Sequence, residues 1–170
     1  MLSTCLILAL FSFQDSHIER VRQGYLDHNT FGEVGLVFEH YRYFESFKWR
    51  VQTEADGQVH VIFDGVINDE EAVTDFYDNN KYAFYRAFKA IQLEPYYGLT
   101  KDKQKLRYRI DFIFEKDGGF AVGLGFLGIM DKAGNWTDKK LEDKSLLAVL
   151  DGIYSNENPY VSLVTGLPFK

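Results

Sequence analysis

Residues 44–68, FESFKWRVQTEADGQVHVIFDGVIN, contain two alternating apolar runs joined by an Asp-Gly pair. Asp56 and Gly57 predict a tight turn, because both residue types tolerate the positive φ angle that such a turn needs. Apolar side chains recur at every second position on both sides of the turn, as in pleated strands with one buried face. They are Phe47, Trp49 and Val51 in the first run and Val59, Val61 and Phe63 in the second. The stretch therefore predicts a β-hairpin over about residues 46–67, around which the rest of the chain is organised.

A second stretch has the same design and predicts another hairpin over about residues 105–130. Its turn falls at Asp117 and Gly118, again an Asp-Gly pair. The apolar residues that alternate on its two strands are Leu106, Tyr108, Ile110, Phe112 and Phe114, then Phe120, Val122, Leu124 and Phe126. Two hairpins supply four antiparallel strands of one sheet.

Three segments predict helices, at about residues 30–43, 69–91 and 138–154. Each begins at a residue that can cap free amide groups, and each continues with apolar residues at helical spacing. The caps are Thr30, Asn68 and either Thr137 or Asp138. We expect a short edge strand over residues 21–26 and an extended tail after residue 154. The predicted fold is α+β, an antiparallel sheet from two hairpins with the helices packed on one face.

The charge and hydropathy of the chain exclude some classes of protein. The chain has 170 residues, of which 46% are hydrophobic, so it can form one well-filled core. Its net charge of −6 argues against a nucleic-acid-binding protein, which needs clustered basic residues in excess. We interpret the basic cluster as solvated surface, because acidic residues interrupt it. Its members are Lys101, Lys103, Lys105, Arg107 and Arg109.

An apolar segment, MLSTCLILALFSF, opens the chain. It is shorter than the roughly 20 residues that span a bilayer core, but it has the size of the apolar region of a signal peptide. Three interpretations stay open: an export signal with a misassigned or trimmed start, a buried N-terminal strand or helix, and lipidation at Cys5. We take residues 1–14 as a signal-peptide remnant and residues 15–170 as a single α+β domain. The mature chain is expected to have no transmembrane span.

A pattern of glycine, aromatic and β-branched residues runs from Arg20 to Gly65 and continues at the second hairpin. It comprises Val21, Gly24, Thr30, Gly32, Tyr43, Phe44, Trp49, Gly57, Val59, Val61, Phe63 and Gly65, and later Phe112, Asp117, Gly118 and Phe120. This pattern resembles a group of small bacterial exported proteins and lipoproteins of uncharacterised function. Phe31 departs from it, since a small aliphatic residue is expected there. The resemblance implies a cell-envelope setting and supplies no active site.

The sequence contains no convincing catalytic or cofactor motif. Gly123, Gly125 and Gly128 fit the spacing G-x-G-x-x-G, but they lie inside a predicted strand, whereas a dinucleotide site needs this motif between a strand and a helix. The histidines, His17, His28, His40 and His60, lack metal-ligand spacing. The sequence offers neither a reactive Cys candidate nor a Ser in a nucleophile-elbow motif, so it identifies no nucleophile for covalent catalysis. We expect no cofactor and no metal, and we expect that the protein is not an enzyme.

Two features are candidates for a contact surface. The segment from Tyr41 to Trp49 is the densest in aromatic residues, and its rings cannot all face inward. Glycines in the second hairpin leave part of one sheet face bare, which allows a helix, another chain or a flat ligand to approach closely. The candidate contact residues are Tyr41, Tyr43, Phe44, Phe47, Trp49, Gly123 and Gly125.

These observations predict a non-enzymatic bacterial envelope protein that is exported and acts through contacts with an unknown protein partner, not with nucleic acid. The alternative is a small-molecule binding module in which sheet and helices enclose an aromatic-lined pocket. An enzyme whose site is dispersed along the chain is a third interpretation.

Overall fold

The computed structural model of the chain describes residues 16–26, 32–79, 81 and 105–166. Several predictions from the sequence lie outside these residues. They concern the apolar opening segment 1–14, the cap at Thr30, the departure at Phe31 and the later part, residues 82–91, of the helix expected over residues 69–91.

The described strands form one antiparallel sheet in the order β1-β2-β3-β4-β5. The strands are β1 (Phe44–Thr53), β2 (Val59–Ile67), β3 (Leu106–Phe114), β4 (Phe120–Met130) and β5 (Trp136–Lys140). Trp49 lies opposite Phe63 and Val51 opposite Val61, so the apolar residues of the first hairpin share one face as predicted. Both predicted hairpins and the α+β class are thereby confirmed.

Three hairpin loops share one geometry. In each, a glycine has a positive φ angle, and its N–H donates to the carbonyl oxygen three residues earlier at 3.0 Å. The φ angles are 87° at Gly57, 89° at Gly118 and 88° at Gly134. Residues with a side chain rarely adopt this conformation, which explains the glycine at each position.

The third loop corrects the prediction of a helix over residues 138–154. Gly134 turns the chain back so that β5 pairs with β4, and Asp138 lies opposite Gly128 within the sheet. The helix begins only at Asp143, after the strand has ended at Lys140. A polar five-residue edge strand has too little apolar alternation to be recognised from sequence.

Five helices are described: α1 (16–22), α2 (Val34–Glu39), α3 (Asp69–Asp78), α4 (Asp143–Tyr154) and α5 (Pro159–Gly166). Their apolar side chains join those of one sheet face in a continuous core. The helices contribute Val21, Phe38, Phe76, Val149, Ile153 and Tyr160, and the sheet contributes Phe63, Ile110 and Phe112. The predicted packing of the helices on one face is confirmed.

Three local predictions are wrong. Residues 21–26 do not form an edge strand, because the helix α1 continues to residue 22. The first predicted helix is shorter than residues 30–43, since α2 ends at Glu39 and the Phe44 N–H donates to the Tyr41 carbonyl in a turn. Up to residue 166, where the described part ends, the tail after α4 is not extended. It forms α5, whose start is capped by Asn158, which accepts from the Tyr160 N–H at 3.0 Å.

The cap predicted for α3 is present. Asn68 accepts a hydrogen bond from the Glu71 N–H at 3.3 Å and its side-chain amide donates to the Glu71 carboxylate. The prediction of one helix over residues 69–91 is wrong, because α3 ends at Asp78 and Asn79 has an extended backbone. Asp78 and Asn79 are poor helix formers. Among the described helices, none is both long enough and apolar enough to cross a membrane.

Candidate functional site

Strand β1 lies at one edge of the sheet, and it is the first part of the candidate site. It is ten residues long, it pairs only with β2 among the described residues, and much of it is exposed. Its pairing is regular from Phe47 to Thr53, after a bulge near its start between Phe44 and Ser46. An edge of this kind presents backbone N–H and C=O groups that another strand can pair with.

The opposite edge of the sheet differs. Strand β5 has only five residues, and it ends with Lys139 and Lys140. Short length and lysines are devices that protect an edge strand from pairing with other chains. Strand β1 is not protected by short length, since it is twice as long as β5, so the two edges are not equivalent as binding surfaces.

The structure corrects the predicted contact role of Tyr41 and Tyr43. Both are buried, at 4% and 0% exposure. The Tyr41 hydroxyl donates to the Glu157 carbonyl and the Tyr43 hydroxyl donates to the Asp75 carboxylate, both at 2.6 Å. Because a buried phenol needs such a hydrogen-bond partner, these rings are anchors of the core and cannot form a contact surface.

The aromatic residues of β1 itself differ in exposure. Phe44 is half-buried against Tyr41, with ring centroids 4.8 Å apart. The half-buried Trp49 donates its indole N–H to the Glu39 carboxylate at 2.8 Å, and its ring packs against Phe63. Phe47 is 42% exposed and stacks on Phe63 with its other face free of described aromatic rings. Of the predicted aromatic contact residues, Phe47 is therefore the one that offers a large exposed ring.

The two glycines of the predicted contact surface differ, since Gly125 is buried and Gly123 is exposed. A Cβ atom on Gly125 would overlap the Leu146 side chain of α4, so the helix takes the space that the glycine leaves. A Cβ atom on Gly123 would overlap the Ile113 side chain on the neighbouring strand. The expected close approach of a helix is confirmed at Gly125, whereas Gly123 is exposed and its role as a contact residue stays a prediction.

The face of the sheet opposite the described helices carries a network of arginines and aspartates. Asp64, at 3% exposure, accepts hydrogen bonds from Arg109 at 3.0 Å and Arg50 at 3.2 Å. Asp138 accepts from Arg107 at 2.9 and 3.0 Å, and its Oδ2 lies 2.7 Å from Arg109 Nη1. We call these five residues the arginine–aspartate network.

This network corrects the interpretation of the basic cluster as solvated surface. Lys105 is exposed, but the side chain of Arg107 is only 10% exposed and packs against the Trp136 ring, with 4.5 Å between the guanidinium carbon and the ring centroid. Lys101 and Lys103 lie outside the described residues. Because Arg107 and Arg109 alternate with apolar residues, the sequence indicates that both arginines lie on the same face of the sheet. It does not reveal their acidic partners, which lie on β2 and β5, far away in the sequence.

Asp111 lies next to the network on the same face, opposite Ile62 and Leu124. It is 8% exposed, and its Oδ1 atom is buried without a hydrogen-bond partner. Burial raises the pKa of Asp111, and the charges of His60, Arg109 and Arg50 offset only part of that effect. Asp64 behaves in the opposite way. Burial disfavours its ionised form, but the hydrogen bonds and charges of the arginines outweigh burial and lower the pKa of Asp64.

We expect the substitution Asp111→Asn to change how stability depends on pH. The pKa of Asp111 is higher in the folded protein than the value of about 3.9 in an unfolded chain, so the folded state binds more protons above about pH 4. Ionisation of Asp111 therefore destabilises the fold as pH rises through that window. Urea unfolding at pH 4 and pH 7 should show the wild type losing stability relative to the variant at the higher pH. The prediction is wrong if the free energy of unfolding of the wild type, minus that of the variant, stays constant or rises from pH 4 to pH 7. Burial would then not hinder ionisation of Asp111 in the folded protein.

Two open surface depressions lie among the described residues and are lined mainly by residues with polar side chains. One, of about 490 Å³, lies at the start of α3 and is lined by Arg42, Asn68, Glu70, Glu71, Thr74 and Asp75. Another, of about 200 Å³, lies between α1 and α2 beside Arg22 and Glu39. Neither is lined by a Phe, Tyr or Trp side chain, and no group of three metal-ligating side chains is found in the described part of the chain.

Comparisons of the chain with protein-family models, with curated proteins and with solved structures find no match.

Proposed function

We propose that the protein is a non-enzymatic bacterial cell-envelope protein that acts through protein–protein contacts, and that β1 makes the principal contact. The observation that carries the contact proposal is the open edge of β1, paired on one side only among the described residues. The envelope setting is supported by the apolar segment at residues 1–14 and by the resemblance of residues 20–65.

The geometry of β1 suits strand addition, in which an extended segment of a partner pairs with a sheet edge. In this mode the main-chain hydrogen bonds supply affinity, and side chains that alternate between the two faces supply specificity. The run from Phe47 to Thr53 pairs with β2 without a bulge, so it provides a regular template for such pairing. Phe47 provides an exposed aromatic ring, the kind of residue that is enriched in interface cores.

The position of β1 is fixed by the core beneath it. Trp49 is held by the hydrogen bond to Glu39, and Glu39 also accepts two hydrogen bonds from Arg22 at 2.6 and 2.9 Å. Strand β1 is thereby connected to α2 and α1. A binding edge that is already ordered loses little conformational entropy when a partner adds to it.

The alternative of an aromatic-lined pocket has no observation in its favour among the described residues. The rings that would line it pack on one another, since Trp49 lies 4.8 Å from Phe63, 5.9 Å from Phe112 and 6.3 Å from Phe38 between ring centroids. We therefore do not propose a small-molecule site there.

The proposal predicts that a photo-crosslinking amino acid at position 47 traps a partner protein in the cells that produce this chain. The added strand would place partner atoms beside the ring that Phe47 now exposes. Covalent adducts are detected by gel shift, and the partner is identified by mass spectrometry as an envelope protein.

The matched control carries the same photo-crosslinking amino acid at Leu147, which is 44% exposed on α4, on the helical side of the protein. No adduct with that partner is expected from this position. If position 47 gives no adduct, or if both positions trap the same proteins in equal yield, the contact proposal is wrong.

A further inference from the structure

The two faces of β1 differ in chemistry along the run that is open for pairing. Phe47, Trp49 and Val51 point to the core face, where Trp49 and Val51 pack against the core. Lys48, Arg50 and Gln52 alternate with them and lie on the face of the arginine–aspartate network. A strand that adds to β1 would meet apolar side chains on one face and basic side chains on the other.

The basic side chains of β1 are not fully neutralised within the chain. Lys48 lies directly opposite Asp64 in the register, but the ion pairs of Asp64 are made by Arg50, Arg107 and Arg109. The exposed Lys48 has no ion pair in the described part of the chain. Arg50 shares Asp64 with the other two arginines, and its side chain is 35% exposed. The run from Phe47 to Thr53 therefore carries basic side chains and no acidic one, in a protein whose net charge is −6.

These charges disfavour a second copy of the chain as the added strand. In the antiparallel registers that overlap most of β1, centred on Lys48, Trp49 or Arg50, basic residues of the two copies would lie directly opposite one another. Lys48 would face Lys48 or Arg50, and Arg50 would face Arg50. Like charges at directly opposite positions destabilise a pair of strands.

We propose that the segment that adds to β1 is an extended stretch of a partner protein in which acidic residues alternate with apolar ones. The acidic side chains would lie beside Lys48 and Arg50, and the apolar side chains would lie beside Phe47 and Trp49. This inference rests on the proposed function, since it specifies the chemistry of the strand that the open edge accepts. Charge complementarity of this kind selects among partners and accelerates their encounter.

The inference is tested with the full chain and three fluorescent ten-residue peptides in which valine alternates with glutamate, serine or lysine. Fluorescence anisotropy at low ionic strength gives the dissociation constants. Because opposite charges across a strand pair attract and like charges repel, the glutamate peptide should bind about tenfold tighter than the lysine peptide. Raising the salt concentration should reduce this preference, since salt screens exposed charges.

The variant Lys48→Glu should weaken binding of the glutamate peptide and strengthen binding of the lysine peptide. Its matched control is Lys144→Glu, the same change of charge at an exposed position of α4, which should leave both affinities unchanged. Equal binding of all three peptides, or no binding of the glutamate peptide, overturns the inference. Crosslinking at position 47 tests separately whether β1 binds a partner at all. A failure of the proposed contact can therefore be distinguished from a failure of the inference about the chemistry of the added strand.

Discussion

Replacing Asp64 with alanine is expected to lower the free energy of unfolding by about 3–5 kcal/mol, the usual cost of removing one partner from a buried ion pair. Asp64 accepts from Arg50 and Arg109, and Arg107 Nη1 lies 3.8 Å from its Oδ1. Without the carboxylate, these guanidinium groups would repel one another on a face where Arg107 is itself almost buried. Denaturant unfolding at pH 7 measures the effect.

Two variants separate this effect from a general loss of acidic charge. Asp78→Ala removes a carboxylate from an exposed position at the end of α3, where acidic side chains interact unfavourably with the helix dipole, and it should change stability by less than about 0.5 kcal/mol. Asp138→Ala should have an intermediate effect, because its side chain is more exposed than that of Asp64, at 21%. If Asp64→Ala costs no more than Asp78→Ala, the network does not stabilise the sheet.

The substitution Phe38→Ala should cost about 3–5 kcal/mol, as expected for truncating a fully buried aromatic side chain. Phe38 has 0% exposure, and its ring centroid lies 5.0 Å from that of Phe63 and 5.8 Å from that of Phe112. A smaller side chain would leave a cavity between α2 and the middle of the sheet, since both elements are held in place by other contacts.

The control for Phe38→Ala lies on the same helix. Leu36 is 58% exposed, so Leu36→Ala removes apolar atoms from α2 without opening a cavity. We expect this variant to lose less than about 0.5 kcal/mol in the same unfolding experiment, as surface substitutions usually do. Equal losses for the two variants would mean that α2 does not pack on the sheet through Phe38.

The parts of the fold that sequence predicts are those with local signals. Asp56 with Gly57, and Asp117 with Gly118, indicate two hairpins because the turn and the alternation on both sides of it lie in one short, continuous stretch of chain. Gly134 has the same positive φ angle as Gly57 and Gly118. The strand that follows it is polar and contains Thr137 and Asp138, which are typical caps of a helix, so the sequence predicts a helix there instead of β5. Helix α5 is not evident from the sequence, because its first residue, Pro159, is compatible both with extended chain and with the first turn of a helix.

The candidate site was only partly predictable, because it depends on strand order and on contacts between distant residues. Alternation shows that Phe47 and Trp49 share a face, but it does not show that β1 lies at the edge of the sheet. Tyr41 and Tyr43 belong to the same dense aromatic segment, yet their hydroxyl groups find partners more than 30 residues away, at Glu157 and Asp75. The arginine–aspartate network joins four strands, so no local pattern could reveal it.

The most direct test of strand addition is to place the photo-crosslinking amino acid in turn at the four most suitable exposed positions of β1. Phe47 and Thr53 lie on the core face, whereas Lys48 and Gln52 lie on the opposite face. An added strand runs beside both faces along the whole edge, so all four positions should trap the same partner. Adducts from one face alone, or from Phe47 alone, would contradict pairing along the edge of β1.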